Sequence, residues 1–173
     1  MKHILPILTI TTLAAAASAQ SAAAMSGLNY NRVGLGYNTD SKGYSLSASA
    51  LIGTSNFLVE AGTTIGGATG AAASNGADSV SLGYVFKNVA LGADATVSVG
   101  SNEAYGLNVR KDLGGNIELA VSFKRDAGDN NVWGAELAYN VSKQIQLAVG
   151  YSDSNAAGAA GDGQTSLAVR YNF

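Results

Sequence analysis

From about residue 30 onward, apolar residues alternate with small or polar ones at every second position, in about ten separate runs. In the last run Leu167, Val169, Tyr171 and Phe173 share one parity, and Ala168, Arg170 and Asn172 share the other. A period of two belongs to a pleated strand, whose successive side chains point to opposite faces. The pattern predicts strands at 30–38, 43–52, 56–66, 79–87, 89–99, 104–111, 116–124, 131–141, 144–152 and 164–173. One parity of each run carries residues such as Leu35, Leu46, Val59, Leu82, Val97, Leu119 and Leu147, and no charge. Most runs have the roughly nine to eleven residues that a tilted strand needs to cross a hydrocarbon layer. Tyr30 has the wrong parity for the run it begins, which leaves the start of the first strand open or bulged.

The connections alternate in length. If the first strand runs outward from a periplasmic side, the inner turns are 53–56, 87–88, 111–116 and 142–143. The outer loops are then 38–43, 66–78, 100–103, 125–130 and 153–163, and the two longest connections share one side, as in membrane barrels. Aromatic residues provide a separate test. Tyr37, Tyr44, Tyr105, Phe123, Trp133 and Tyr151 fall at outer strand ends, and Phe57, Tyr84, Phe86, Tyr139, Tyr171 and Phe173 at inner ends. Amphipathic rings favour the headgroup zones, whereas a soluble sandwich would bury its large rings at strand centres. The expected fold is all-β: a transmembrane antiparallel up-and-down β-barrel of about ten strands, with eight as the alternative.

The N-terminal residues change the picture by giving a destination. Lys2 and His3 precede an apolar stretch from Ile4 to Ala17 that closes on Ala17-Ser18-Ala19, the pattern of a secretory signal peptide. The expected division is a leader at 1–19 and a barrel domain at 20–173. The chain has no Cys, so neither a lipid anchor nor a disulfide is expected. No Pro follows Gln20, which suits a sheet whose interior N–H groups all need partners.

Leader, alternating strands, aromatic girdles and terminal Phe173 together resemble the small bacterial outer-membrane β-barrel proteins, the class of the OmpA membrane domain, OmpX and small porin-like barrels. The resemblance covers the whole chain after the leader and is one of architecture. It implies that Val169, Tyr171 and Phe173 form a terminal signal read by the barrel-assembly machinery, with periplasmic chaperones as partners in transit. It also implies outer-membrane lipid and lipopolysaccharide as surroundings, and a monomer.

The inward parity carries the cations Arg32, Arg110, Lys124 and Arg170 and the acids Glu60, Asp94, Glu118 and Glu136. Balanced charge in a narrow lumen reads as a salt-bridged plug, because an unpaired buried ion is costly. The alternative is a thin water-filled path whose charges tune passage. Ten strands stand nearer to the filled eight-stranded barrel than to the porins of roughly sixteen. The expected role is structural or narrowly porin-like, with a surface-exposed binding or adhesion barrel as the alternative.

Outside the strands, Asp40, Asp78, Glu103, Asp126, Asp129, Asp153 and Asp162 outnumber Lys42 and Arg125 in the outer loops. An acidic rim favours cations at a pore mouth. The only histidine, His3, lies in the leader, so the barrel lacks the side chain used most often for proton transfer and no enzyme is expected. Gly34-Leu-Gly36 and Gly66-Gly67-Ala-Thr-Gly70 open no helix after a strand, which argues against a nucleotide site. Asp153-Ser-Asn155 to Asp162-Gly163 has the flavour of a calcium-binding glycine repeat in a single copy and reads as a plain loop. No cofactor, metal or nucleic-acid partner is expected.

Overall fold

The computed structural model describes residues 27–65, 78–101, 104–125, 130–155 and 163–173. The leader at 1–19 and the centres of the loops at 66–77, 102–103, 126–129 and 156–162 lie outside the described residues.

Ten antiparallel strands close a barrel in chain order: β1 (Arg32–Asn38), β2 (Tyr44–Leu51), β3 (Phe57–Ile65), β4 (Ser79–Ala90), β5 (Ala93–Gly100), β6 (Tyr105–Gly114), β7 (Ile117–Arg125), β8 (Asn131–Asn140), β9 (Ile145–Ser154) and β10 (Gln164–Asn172). β1 pairs with β10 from Arg32 opposite Asn172 to Asn38 opposite Ser166, so no sheet edge remains. The ten-stranded up-and-down topology is the one the alternation predicts.

Parity sorts the two faces. Leu35, Leu82, Val97, Leu119, Leu137 and Val169 point outward and are each exposed by 36% or more, whereas inward Asp94, Glu118 and Gln146 are buried. An apolar exterior this continuous is a surface made for lipid, since soluble monomers rarely expose large apolar patches. Rings gather at both rims. Tyr37 meets Tyr44 and Trp133 meets Tyr151 at one end, and Phe57, Tyr84 and Phe86 form a chain of edge contacts at the other.

Two turns at the end where β1 begins and β10 finishes are tighter than the sequence pattern predicts. β4 does not stop at Lys87 but runs to Ala90, and Val89 belongs to it, not to β5. Asn88, at φ 55°, forms a bulge whose N–H donates to Asp94 Oδ1 at 2.8 Å, and the turn is Leu91-Gly92, at φ 53° and 76°. A two-residue hairpin needs positive φ at both central positions to match strand twist, and the bulge absorbs the extra residue. Likewise the expected turn at 111–116 shrinks to Gly115-Asn116, at φ 61° and 68°, because Asp112 Oδ1 accepts the Gly114 N–H at 2.8 Å and lengthens β6. Arg125 and Asp153, placed in loops by the pattern, lie within β7 and β9.

Candidate functional site: the lumen septum

Near the loop end the inward positions hold small residues, Ser47, Ser81, Ser98, Ser122 and Gly106 among them, and they line a cavity of about 380 Å³. A second cavity of about 770 Å³ opens at the terminal end. Between the two, the space beside Tyr30, Arg32, Asn108 and Arg110 measures only about 10 Å³. The lumen is thus two chambers divided by a septum.

The septum starts from one strand pair. Arg110 of β6 stands opposite Ala120, yet reaches diagonally to Glu118 on β7, with Nε donating to Oε1 at 2.6 Å and Nη2 to Oε2 at 3.0 Å. Diagonal neighbours on one face of a sheet lie within reach of long side chains, and a fork-on-carboxylate geometry gives two charge-assisted bonds. Both residues are buried. Asp94 faces Arg110 directly across the β5–β6 pair. Tyr30 mediates between them, its ring 4.6 Å from the Arg110 guanidinium and its hydroxyl donating to Asp94 Oδ2 at 2.8 Å.

The network continues around the wall through Gln146 of β9. Its Nε2 donates to Glu118 Oε2 at 3.2 Å and to Asn140 Oδ1 at 3.0 Å, while its Oε1 accepts from Arg170 Nη1 at 3.1 Å. Arg170 in turn grips Glu136 with both terminal nitrogens, at 2.6 and 2.5 Å. Five of the eight inward charges, Asp94, Arg110, Glu118, Glu136 and Arg170, are therefore joined directly or through Tyr30 and Gln146. The other three stand apart from that network. Glu60 accepts a bond from the Ser81 hydroxyl at 3.3 Å, Arg32 Nη1 is buried with no hydrogen-bond partner among the described residues, and Lys124 is exposed towards the loop-end chamber.

Several residues of the septum are ones that alternation passes over. Tyr30 is neither a strand residue nor a girdle ring. It precedes β1, lies inside the barrel and is buried, which accounts for its anomalous parity. Leu51, Leu58 and Val85 have inward parity but are large and apolar, and with Leu28 and Tyr30 they make one buried cluster. Three inward leucine and valine side chains at neighbouring strand ends were a readable signal. Gln146 was readable too, as an inward amide in register with Arg170.

Solved structures share the architecture. The KdgM porin matches 82% of this chain and 99% of its own, with a TM-score of 0.50 and 13% identity. KdgM in complex with disordered oligogalacturonate matches with the same coverage and identity at a TM-score of 0.51. The NanC porin matches 82% of this chain and 98% of its own at a TM-score of 0.45 and 10% identity. In fold, this chain resembles a small outer-membrane porin. No family model matches it, and no curated protein matches its sequence.

At the septum the space beside Tyr30, Arg32, Asn108 and Arg110, about 10 Å³, has room for about one water. Charges that are paired and hydrogen-bonded on both sides hold a buried layer together, because breaking one member strands its partner. Among the described residues no group of His, Cys, Asp and Glu side chains could hold a metal ion.

Proposed function

We propose that this protein is an outer-membrane barrel with a narrow porin-like role in the passage of small solutes. The observation that carries the reading is the pair of chambers, about 770 and 380 Å³, at opposite ends of the lumen and divided by the septum. A barrel built only for strength gains nothing from large polar chambers, since packing the same space with side chains would add contacts. The apolar exterior and its two aromatic rims support a place in the outer membrane, and the leader at 1–19 supports export by a cleaved signal peptide. The terminal end, with its short turns, is read as periplasmic. Passage is preferred to catalysis because the barrel has no histidine.

Single-channel recording of the refolded protein in planar bilayers tests this. Intermittent openings are expected, with reversal potentials in a salt gradient favouring cations because the loops are acidic. Silence at every applied potential would discard passage by the intact protein and leave a structural or surface-binding barrel. The hydrogen-bonded charge pairs of the septum favour that second reading. Assembly is proposed to depend on Val169, Tyr171 and Phe173, with the barrel-assembly machinery and periplasmic chaperones as partners in a monomer's biogenesis. Tyr171 and Phe173 stack at 6.4 Å at the rim, and deletion of Phe173 is expected to lower the amount of heat-modifiable barrel in outer membranes.

A further inference from the structure

One component of the septum does not belong to the wall. Residues 27–31 precede β1 and lie within the barrel, outside any strand. Gly27, at φ 73°, turns the chain beside the Asp112 carboxylate at the terminal mouth, and from there the segment follows the lumen inward. Leu28 and Tyr30 cover Leu51, Leu58 and Val85 on β2, β3 and β4. At the segment's inner end Asn31 is fixed to the wall, its carbonyl accepting from the Phe173 N–H at 3.0 Å and its Oδ1 from the Leu51 N–H at 2.9 Å, and ahead of it the backbone is held by side chains from two directions. The Ser49 hydroxyl donates to the Tyr30 carbonyl at 2.7 Å, and Arg110 Nη2 donates to the Asn29 carbonyl at 3.0 Å.

The segment therefore fills the gap between two arcs of wall. On one side the bonds that join Arg110, Glu118, Gln146, Arg170 and Glu136 to one another are made within β6–β10, and the segment adds only the Asn29 carbonyl and the Tyr30 ring at Arg110. On the other side stand apolar side chains that make no polar bond across the lumen. Beside the segment, and lined by it, is the larger chamber of about 770 Å³, which is room to move into.

We propose that residues 27–30 are an internal plug, hinged at Asn31, which the Leu51 and Phe173 amides hold to the wall, and that withdrawal of the plug into the terminal-end chamber connects the two chambers and opens the lumen. The proposal rests on the porin-like reading above and names what regulates it. Tyr30 is the latch. Its side chain touches both arcs, through Arg110 and Asp94 on one side and the apolar cluster on the other. A closed state held by a few such contacts and an open state without them form a two-state element, whose populations shift with each contact removed.

The test compares single-channel records of the chain beginning at Gln20, a truncated chain beginning at Asn31, and a full-length double variant, Leu28→Ala with Tyr30→Ala. Heat-modifiable migration establishes that each has folded, and the double variant stands in if the truncation does not fold. Open probability is expected to rise by about ten-fold or more in both, since each net hydrogen bond lost shifts such an equilibrium several-fold. A synthetic peptide of residues 20–31 should block the truncated barrel from one side of the bilayer only, and the same peptide carrying Tyr30→Ser should not. Unchanged open probability in a folded variant would overturn the plug and leave the porin-like reading standing. Openings in the variants alone would keep the plug while discarding passage by the intact protein. Silence in all three chains would overturn both.

Discussion

The two arcs of the lumen are built on different chemistry. β6–β10 present Arg110, Glu118, Glu136, Gln146 and Arg170, each with a polar partner, whereas β2–β4 present Leu51, Leu58 and Val85 at the same end of the barrel. The charged arc satisfies itself along the wall, because neighbouring strands bring opposite charges within reach on one face. The apolar arc has no such option. Left uncovered it would face water in the terminal-end chamber, and it is covered instead by Leu28 and Tyr30. Tyr30 fits this border because its ring is apolar enough for the leucines while its π-face takes a guanidinium and its hydroxyl a carboxylate.

The most damaging way to break this comparison is to unbalance the charged arc. Arg110→Ala leaves Glu118 buried without its main partner, and a loss of about 3–5 kcal/mol is expected in reversible urea unfolding from lipid vesicles. A loss below about 1 kcal/mol would mean that the arc is solvated and its pairs count for little. Setting both arcs against the exterior comes next. Leu119→Arg, on the lipid face, should cost about 2–4 kcal/mol, and Ser122→Arg, in the loop-end chamber, clearly less. Equal costs would contradict the facing of β7.

The apolar arc is sharpened by Leu58→Ala, expected to cost about 2–3 kcal/mol through lost burial and the cavity left under Tyr30. The same unfolding assay reads it, and a negligible loss would show that the cluster is loosely packed. The smallest effect belongs to neither arc. Leu91 sits at φ 53° in the Leu91-Gly92 turn with its side chain exposed, so Leu91→Gly should stabilise by about 1 kcal/mol through relief of left-handed strain. Destabilisation there would indicate that the leucine is anchored in the interface of the bilayer.

Alternation made the strands legible because side-chain facing is local. Leu35, Leu119 and Val169 fall outward from parity alone, with no knowledge of their neighbours. The turns at Leu91-Gly92 and Gly115-Asn116 were less legible, since a side chain elsewhere, Asp94 or Asp112, holds the backbone amide that shifts each boundary. Tyr30 showed itself only as a parity fault. Its place depends on groups far along the chain, Asp94 and Arg110, which the sequence order separates and the closed sheet brings side by side.

What the sequence by itself determined is therefore an up-and-down barrel of about ten strands with apolar residues on one face and small or polar ones on the other, because a period of two acts residue by residue. Which of the inward charges meet was decided only by the tertiary structure. Register set Arg110 diagonal to Glu118 and Gln146 between Asn140 and Arg170, while closure brought β1 to β10 and folded residues 27–31 into the space that remained. These are contacts across the curvature of a closed sheet, and no local pattern encodes a distance measured through the lumen.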